Sequence, residues 1–357
     1  MNRTKVLLII PHLKAGGAER VVSSIFKHLD RTVFEPYLIV IGFEKENHYL
    51  IEGIGVIYLN KQRLRSALFE IIKVIRTEKP DIVFGSIGHI NIYLGFLKTF
   101  FQKIKFIARE ASVYSKMRIY NDNKQLPFFW LKKCYQKLDA LVYQSADMKN
   151  DFEQTFNIPT SKGCLIHNPI TLAPTLLKSS PEKKERVAKF IIVGSLVLNK
   201  GHERVLKLFE KVNFNFVLEI IGEGSLREKL EEKLKTSTIK DKVIFRGLQK
   251  EMEAIYTSSD FLIQGSYVEG FPNVVLEALS YGIPCVAFDA PGGHREMIIE
   301  NENGYIIQNE EEAPQIIEKT IHHNWNRLEI QNDVFARFGV KKIIKEYETM
   351  FLKIKNQ

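Results

Sequence analysis

Ser266-Tyr-Val-Glu-Gly-Phe-Pro-Asn-Val-Val-Leu-Glu-Ala-Leu-Ser-Tyr-Gly-Ile-Pro284 separates two short apolar runs, Phe261-Leu-Ile263 and the run from Pro284 to Phe288. The first run reads as a buried strand ending near Gln264, and Glu269-Gly270 reads as a tight turn. Pro272 stands where a first helical residue is expected, because its missing N–H costs nothing there. A helix from about Pro272 to Tyr281 comes next and stops at Gly282. Strand, helix and strand in so short a span make a βαβ unit, and so a parallel sheet.

The same alternation runs outward from this stretch. Before it come Phe190-Ile-Ile-Val193, Phe216 to Ile221 and Val243-Ile-Phe245, and after it Lys341 to Lys355 forms one amphipathic helix. In the first half Lys5-Val-Leu-Leu-Ile-Ile10 is a buried strand stopped by Pro11, then a loop with Gly16-Gly17. A helix from about Ala18 to Leu29 places Val21, Val22, Ile25 and Leu29 on one face. Leu38 to Ile41, Val56 to Leu59, Ile82 to Phe84, Ile104 to Ala108 and Ala140 to Tyr143 repeat the strand theme, with helical stretches such as Ser66 to Thr77 between them. The stretch 168–189 breaks the pattern with three prolines and a charged, serine-containing run, as an interdomain linker does. The reading is an α/β protein of two Rossmann-like domains: 1–170, a linker 171–188, a second domain 189–339, and a final helix 340–357.

Bulk composition agrees with this. A chain of 357 residues suits two ordinary domains, and 45% hydrophobic with 26% charged residues excludes a disordered chain. A net charge of +9 suits an anionic partner, whether nucleotide phosphates, an acidic membrane surface or nucleic acid. Nucleic acid ranks last, since no binding motif or aromatic stacking platform accompanies the charge. Cys134, Cys164 and Cys285 show no metal spacing, and so sparse and odd a set points to a reducing compartment, the cytoplasm. No run of 18 apolar residues exists, so an integral membrane protein is not expected. A peripheral seat at the inner face of the cytoplasmic membrane stays open. G-x-G-x-x-G is absent, which argues against a nicotinamide enzyme, and no D-x-D pair stands at a strand end, so no metal and no cofactor are expected.

The chemistry concentrates where the opening stretch turns into its helix. Backbone N–H groups at Asn273 to Val275, together with the helix dipole, form a ready site for a diphosphate. Glu269 in the loop and Glu277 in the second turn project to one side of it, one placed for a sugar and the other for ribose hydroxyls. Alone, two acids at this spacing describe many solvated helix starts. Gly270, Pro272, Gly282 and Pro284, with matching segments elsewhere in the chain, favour a functional pair. Val193-Gly-Ser-Leu-Val-Leu-Asn-Lys-Gly201, Ile221-Gly-Glu-Gly-Ser-Leu226, Val243-Ile-Phe-Arg-Gly247, Gly292-Gly293-His-Arg-Glu296 and Gly304 continue the pattern in the second half. Gly16-Gly-Ala-Glu-Arg20 and His167-Asn-Pro169 do so in the first.

These residues resemble the E-x7-E signature and flanking motifs of the retaining glycosyltransferase family 4, over most of the chain. The resemblance implies a GT-B fold, two facing Rossmann-like domains with parallel sheets and a C-terminal helix crossing back to the first. It implies a first domain that binds the acceptor and a second that binds the donor. Glu269 would face the donor sugar, Glu277 the ribose and Lys200 the diphosphate, with Gly270, Phe271, Pro272, Asn273 and Val274 lining the donor site. Gly16 and Gly17 would let backbone approach the sugar phosphate. Ser195 departs from the pattern, since the family commonly has arginine there. Arg246, Arg295 or the helix N-terminus are the groups available to compensate. Many relatives carry a histidine after the fourth strand where this chain reads Ala108-Arg109-Glu110, so His89 and Arg109 are the first-domain catalytic candidates, with His12 and His294 behind them.

The resemblance further implies transfer, with retention, of a hexose or acetamidohexose from a nucleoside-diphosphate sugar, uridine-linked. The acceptor would be a saccharide or lipid-linked glycan of a surface polysaccharide, capsule or lipopolysaccharide. A sugar-nucleotide epimerase of the same architecture is the rival enzyme, and a non-catalytic nucleotide- or carbohydrate-binding protein the rival outside catalysis. Phe96 to Phe106 and Phe128 to Tyr135 mix bulky apolar residues with lysines. They read as core helices with a solvated basic face, with a surface for anionic lipid as the sharper alternative.

Overall fold

The computed structural model describes residues 3–14, 16–47, 51, 55–120, 127–172, 174–177 and 187–357. Of the expected linker 171–188, positions 173 and 178–186 lie outside the described residues. The chain divides into two units. One comprises Met1–Ser115, Asp122–Thr171 and Gly339–Gln357; the other comprises Lys116–Asn121 and Leu172–Phe338.

The first sheet is built from β1 (Thr4–Ile10), β2 (Phe34–Val40), β3 (Val56–Tyr58), β4 (Ile82–Ser86), β5 (Lys105–Arg109), β6 (Ala140–Tyr143) and β7 (Gly163–Leu165). Its strands lie parallel in the order β3-β2-β1-β4-β5-β6-β7. Helices α1 (Gly17–His28), α2 (Leu68–Glu78), α3 (Gly88–Leu97), α4 (Tyr114–Met117), α5 (Phe128–Lys137) and α6 (Ala146–Phe156) occur along this half of the chain.

The second sheet holds β8 (Ala188–Val193), β9 (Phe216–Ile221), β10 (Val243–Gly247), β11 (Phe261–Gln264), β12 (Cys285–Phe288) and β13 (Gly304–Ile307), all parallel, in the order β10-β9-β8-β11-β12-β13. Its half of the chain carries α7 (His202–Phe209), α8 (Arg227–Lys235), α9 (Met252–Thr257), α10 (Asn273–Ser280), α11 (His294–Met297), α12 (Ala313–His322) and α13 (Arg327–Phe338).

The last helix, α14 (Val340–Lys355), belongs to the first unit. Its Ile343, Ile344, Tyr347, Met350, Phe351 and Ile354 fall at helical spacing on one face, and all six are buried in the first sheet's core. Phe351 meets Phe84 and Phe34 edge-on at 5.6 and 6.2 Å, and Tyr347 meets Phe84 at 6.0 Å. Lys355 pairs with Asp81 at 3.1 Å, and Glu348 accepts the Asp30 backbone N–H at 2.9 Å.

In each sheet the strand order reverses once, between β1 and β4 and between β8 and β11. Open parallel sheets bind ligands beyond the carboxyl ends of the strands at such a switch point, where the two outgoing loops part. The topology thus directs attention to four loops, those after β1, β4, β8 and β11. Among the described residues no helix is long and apolar enough to cross a membrane.

Candidate active site

In the second unit the loops after β8 and β11 are pressed together. Gly201 has φ +61, and a Cβ there would fall on the carbonyl oxygen of Gly265. Only glycine allows both the left-handed turn and that approach. The close approach brings Lys200, just before α7, against Glu269 in the β11–α10 loop, with Nζ 2.6 Å from Oε1. The same oxygen accepts Ser266 Oγ at 2.6 Å and Gln264 Nε2 at 2.9 Å. Oε2 of Glu269 takes no hydrogen bond among the described residues.

Glu269 is buried, and burial alone would push its carboxyl up. The Lys200 charge and hydrogen bond, with that of Ser266, outweigh burial and hold it below the usual range. A carboxylate kept ionised out of water, with one oxygen uncommitted, can accept hydroxyl groups or stabilise a nearby cation. Lys200 has three N–H donors, and its side chain is 28% exposed, so it can meet an anion as well. Behind the pair, buried His294 contacts Gln264 Oε1 through Nε2 at 2.8 Å. Burial brings its pKa down to about 4, so it is a neutral link that orients Gln264.

α10 begins one residue later than the sequence suggests. Pro272 is its N-cap and not its first residue, and the Val275 N–H expected to be free is bonded to the Pro272 carbonyl at 3.0 Å. Val274 N–H has no partner among the described residues, so part of the expected anion-binding edge is present. Gly270 accepts the Gly293 N–H at 2.9 Å, and Phe271 packs edge-on to Phe338 at 5.5 Å, which anchors the loop on both sides. Glu277, one turn into the helix, is buried and accepts the Tyr256 hydroxyl at 2.8 Å. Tyr256 stacks on Tyr281 at 5.1 Å, so the grip on Glu277 is rigid.

In the first unit the loops after β1 and β4 hold His12 and His89. His12 Nδ1 lies 3.4 Å from Oε1 of buried Glu19 in the first turn of α1. Gly16 is the N-cap of α1 and Gly17 its first residue, and a Cβ on Gly16 would fall on the Glu19 carboxylate. The space expected to admit a phosphate beside Gly16 is therefore held by an acid. His89 is exposed at the start of α3, its pKa lowered by partial desolvation and then by the charge of His12. The residue before that helix, Ile87, has φ +82, a strained conformation for a β-branched residue.

Arg109, the other first-domain candidate, sits in a buried network. It is buried at the end of β5, donating to Ser86 Oγ at 3.1 Å and Asn168 Oδ1 at 2.5 Å, and its charge reaches Tyr347 of α14. Enclosed in this way it ties the ends of β4 and β5 to Asn168. Glu110 beside it is buried against Asn91 at 2.6 Å and Tyr135, and burial pushes its carboxyl up to about 7.

Residues 15–173 match the model of Glycosyltransferase Family 4, and residues 175–332 match that of Glycosyl transferases group 1. The chain belongs to the family 4 and group 1 glycosyltransferases. A Campylobacter jejuni relative, the N-acetylgalactosamine-N,N'-diacetylbacillosaminyl-diphospho-undecaprenol 4-alpha-N-acetylgalactosaminyltransferase, is 26% identical over 85% of this chain and 86% of its own length. The lipopolysaccharide outer core galactosyltransferase WaaB shares the fold, with a TM-score of 0.79 at 20% identity over 98% of this chain and 99% of that one. Anabaena HepE, solved with UDP-glucose, shares it at 0.77 and 16% identity, with coverage of 98% and 99%. The GT-B architecture implied by the motifs is thus the observed one.

Within this glycosyltransferase the two arginines expected to compensate for Ser195 are each paired with a carboxylate. Ser195 is exposed in the loop after β8, while Arg246 is engaged by Glu219 at 2.7 Å and Arg295 by Asp289 at 2.6 and 2.9 Å. Sequence reading missed Arg204 and Tyr256. Arg204 donates to the carbonyls of Gly265, at 2.5 Å, and of Ser266, and lies over the rings of Tyr267 and Phe288 at 4.1 and 4.2 Å. It braces the loop that carries Glu269. Its position in the first turn of α7, beside Lys200-Gly201, was the available signal. Tyr256 gave none, because its link to Glu277 spans 21 residues of chain. Among the described residues no three His, Cys, Asp or Glu side chains gather as metal ligands would.

Proposed function

We propose that this glycosyltransferase moves a hexose or acetamidohexose, with retention, from a UDP-linked donor to a saccharide or lipid-linked glycan acceptor in surface-polysaccharide assembly. The observation that carries the reading is Glu269: a buried, ionised carboxylate whose Oε1 is saturated by Lys200, Ser266 and Gln264 while Oε2 takes none. In the reaction, charge builds on the leaving diphosphate and on an oxocarbenium-like sugar. Lys200 and the Val274 edge of α10 stabilise the first, Glu269 Oε2 the second, and Glu277 accepts the ribose hydroxyls. The second unit binds the donor; the first binds the acceptor, with His12 and His89 at its switch point. No metal or cofactor takes part, and the enzyme works at the inner face of the cytoplasmic membrane.

UDP-glucose on Anabaena HepE and the undecaprenol-linked acceptor in the Campylobacter jejuni enzyme's name support the uridine and lipid-linked choices. The lipopolysaccharide named for WaaB supports the setting. The test is a thermal-shift panel of UDP, GDP, ADP and CDP without metal, on wild type and Glu277→Ala. Stabilisation by UDP alone, lost in the variant, is expected. No shift with any of the four would withdraw the donor site.

A further inference from the structure

Of the two stretches expected to be core helices with a solvated basic face, 128–135 lies in α5, but 96–106 is the end of α3, a turn and the start of β5, so the expected helix does not form there. Ile90, Leu94 and Leu97 of α3 and Leu131 and Tyr135 of α5 are buried. The opposite sides, with the turn after α3, carry Phe100, Phe129 and Trp130 at 66%, 59% and 60% exposure, with Phe96 and Phe128 also exposed. These rings leave much of their apolar area in water, and isolated exposed apolar residues are ordinary, but here they adjoin. Phe96 meets Phe100 at 5.1 Å and Phe129 meets Trp130 at 6.2 Å. A Cβ on Gly95 would fall on the backbone of Cys134, so α3 and α5 touch backbone to backbone. Lys137 of α5 donates to Thr99 just beyond α3 at 2.8 Å, closing the other end. Both helices connect neighbouring strands in the same sense, and right-handed crossovers put them on one face of the sheet. Their outer sides form one surface.

That surface is also basic. Residues 96–137 hold ten Lys and Arg against two Asp and Glu, and although Arg109 is buried and Lys116 and Arg118 belong to the other unit, Lys98, Lys103, Lys132, Lys133 and Lys137 come from α5 and the turn after α3. One of the two acids, Glu110, is buried. Asp139 neutralises Lys98 at 2.8 Å, but Lys103, Lys132 and Lys133 pair with no carboxylate among the described residues. Lys133 lies over the Phe129 ring at 4.2 Å, so charge and ring present together.

We propose that the α3–α5 surface docks on a bilayer rich in anionic lipid, with Phe129 and Trp130 entering the interfacial layer and Lys103, Lys132 and Lys133 facing the headgroups. A soluble polyanion would engage the lysines and leave the rings in water. A protein partner would gain from the rings but would need a matching acidic face. An anionic bilayer takes both, since aromatic rings favour its interface and basic residues its surface potential. The inference deepens the proposed function, in which the acceptor is lipid-linked, by naming the surface that meets the membrane.

The test needs neither donor nor acceptor, so it can fail while the transferase reading stands, and the reverse. The full-length protein is sedimented with sucrose-loaded vesicles of phosphatidylcholine alone or mixed with phosphatidylglycerol. Wild type is expected to sediment with the anionic vesicles only, and less as salt is raised. Lys132→Gln/Lys133→Gln should weaken partitioning roughly 30-fold, about fivefold per charge, and Phe129→Ser/Trp130→Ser by about tenfold or more. Brominated acyl chains should quench Trp130 fluorescence in Trp325→Phe protein, which leaves the patch intact should either double variant misfold. Absence of anionic-vesicle binding, equal binding by wild type and both variants, or unquenched Trp130 on bound protein would each overturn the proposal. So would binding that survives loss of both rings and is matched on heparin, which marks a polyanion site.

Discussion

Lys200 and Glu269 meet at 2.6 Å across the switch point of the second sheet, each delivered by a loop that leaves one of the two diverging strands. Removing only the ammonium strands a buried carboxylate. Lys200→Ala is therefore expected to destabilise the second unit by roughly 3 kcal/mol, at the low end for buried pairs because Lys200 is partly exposed. Glu269→Gln keeps the shape and lets Lys200 turn to water, so its cost is about 1 kcal/mol. The double variant should be less destabilised than Lys200→Ala alone. Urea denaturation of the four proteins measures this coupling, and strict additivity would show the pair to be solvated.

Gly201 sets that contact. Alanine there adds a strained left-handed residue and a clash with the Gly265 carbonyl. A loss of about 2–3 kcal/mol is expected, accompanied by weaker UDP binding as Lys200 moves away from Glu269. Calorimetry of Gly201→Ala with and without UDP separates the effects. An unchanged midpoint would mean that the two loops do not abut.

Tyr256 reaches no ligand on this geometry, yet it fixes Glu277. Tyr256→Phe removes one hydrogen bond to a carboxylate and keeps the stack on Tyr281. Nucleoside diphosphate affinity should fall about tenfold while deoxynucleoside diphosphates lose less, since the effect runs through ribose recognition. Titration calorimetry of UDP against its deoxy analogues reads the difference. An equal loss on both would make Tyr256 a stability residue only.

The two units should answer pH in opposite senses. Glu110 has its pKa raised from 4.5 to about 7 by burial, so the fold holds a proton that the unfolded chain has released. Its contribution falls as pH climbs from about 4.5 to 7, by at most about 1.4 kcal/mol per unit, and is level above. His202 and His294 are lowered from 6.5 to about 4, chiefly by burial, so the fold keeps them neutral while the unfolded chain protonates. The second unit loses stability as pH drops from 6.5 towards 4. Native-state hydrogen exchange of β1 and β8, corrected for intrinsic rates, should show the divergence, and Glu110→Gln should flatten the first unit's response. Parallel slopes in both strands would contradict the assignments.

Much of this was legible in the residues. Ala140–Tyr143 and Phe216–Ile221 have the bounds expected of them, because a mostly apolar run, broken only by Glu219 in the second, leaves a buried parallel strand little choice. The edge strands Gly163–Leu165 and Gly304–Ile307 did not register as strands, being short and, in the first case, partly exposed. At the site, Glu269, Glu277 and Lys200 declared themselves through flanking glycines and proline, which report backbone geometry. For Arg109 a charged residue at a strand end is equally apt for a buried network, and its Ser86 and Asn168 partners, distant in sequence, were not legible. His12 looked minor for the converse reason, since its partner Glu19 becomes a neighbour only when α1 turns back over Gly16.

The seating of α14 on Phe34 and Phe84 also imposes an order of birth. On the ribosome, β1 to β7 emerge with one apolar flank uncovered, and it stays so until residues 343 to 354 have been made. The second unit's own segments, which end at Phe338, are complete before then. The half of the chain synthesised first is therefore the half that matures last, and a message cut short before α14 would yield a finished second unit tethered to a sticky, unclosed partner.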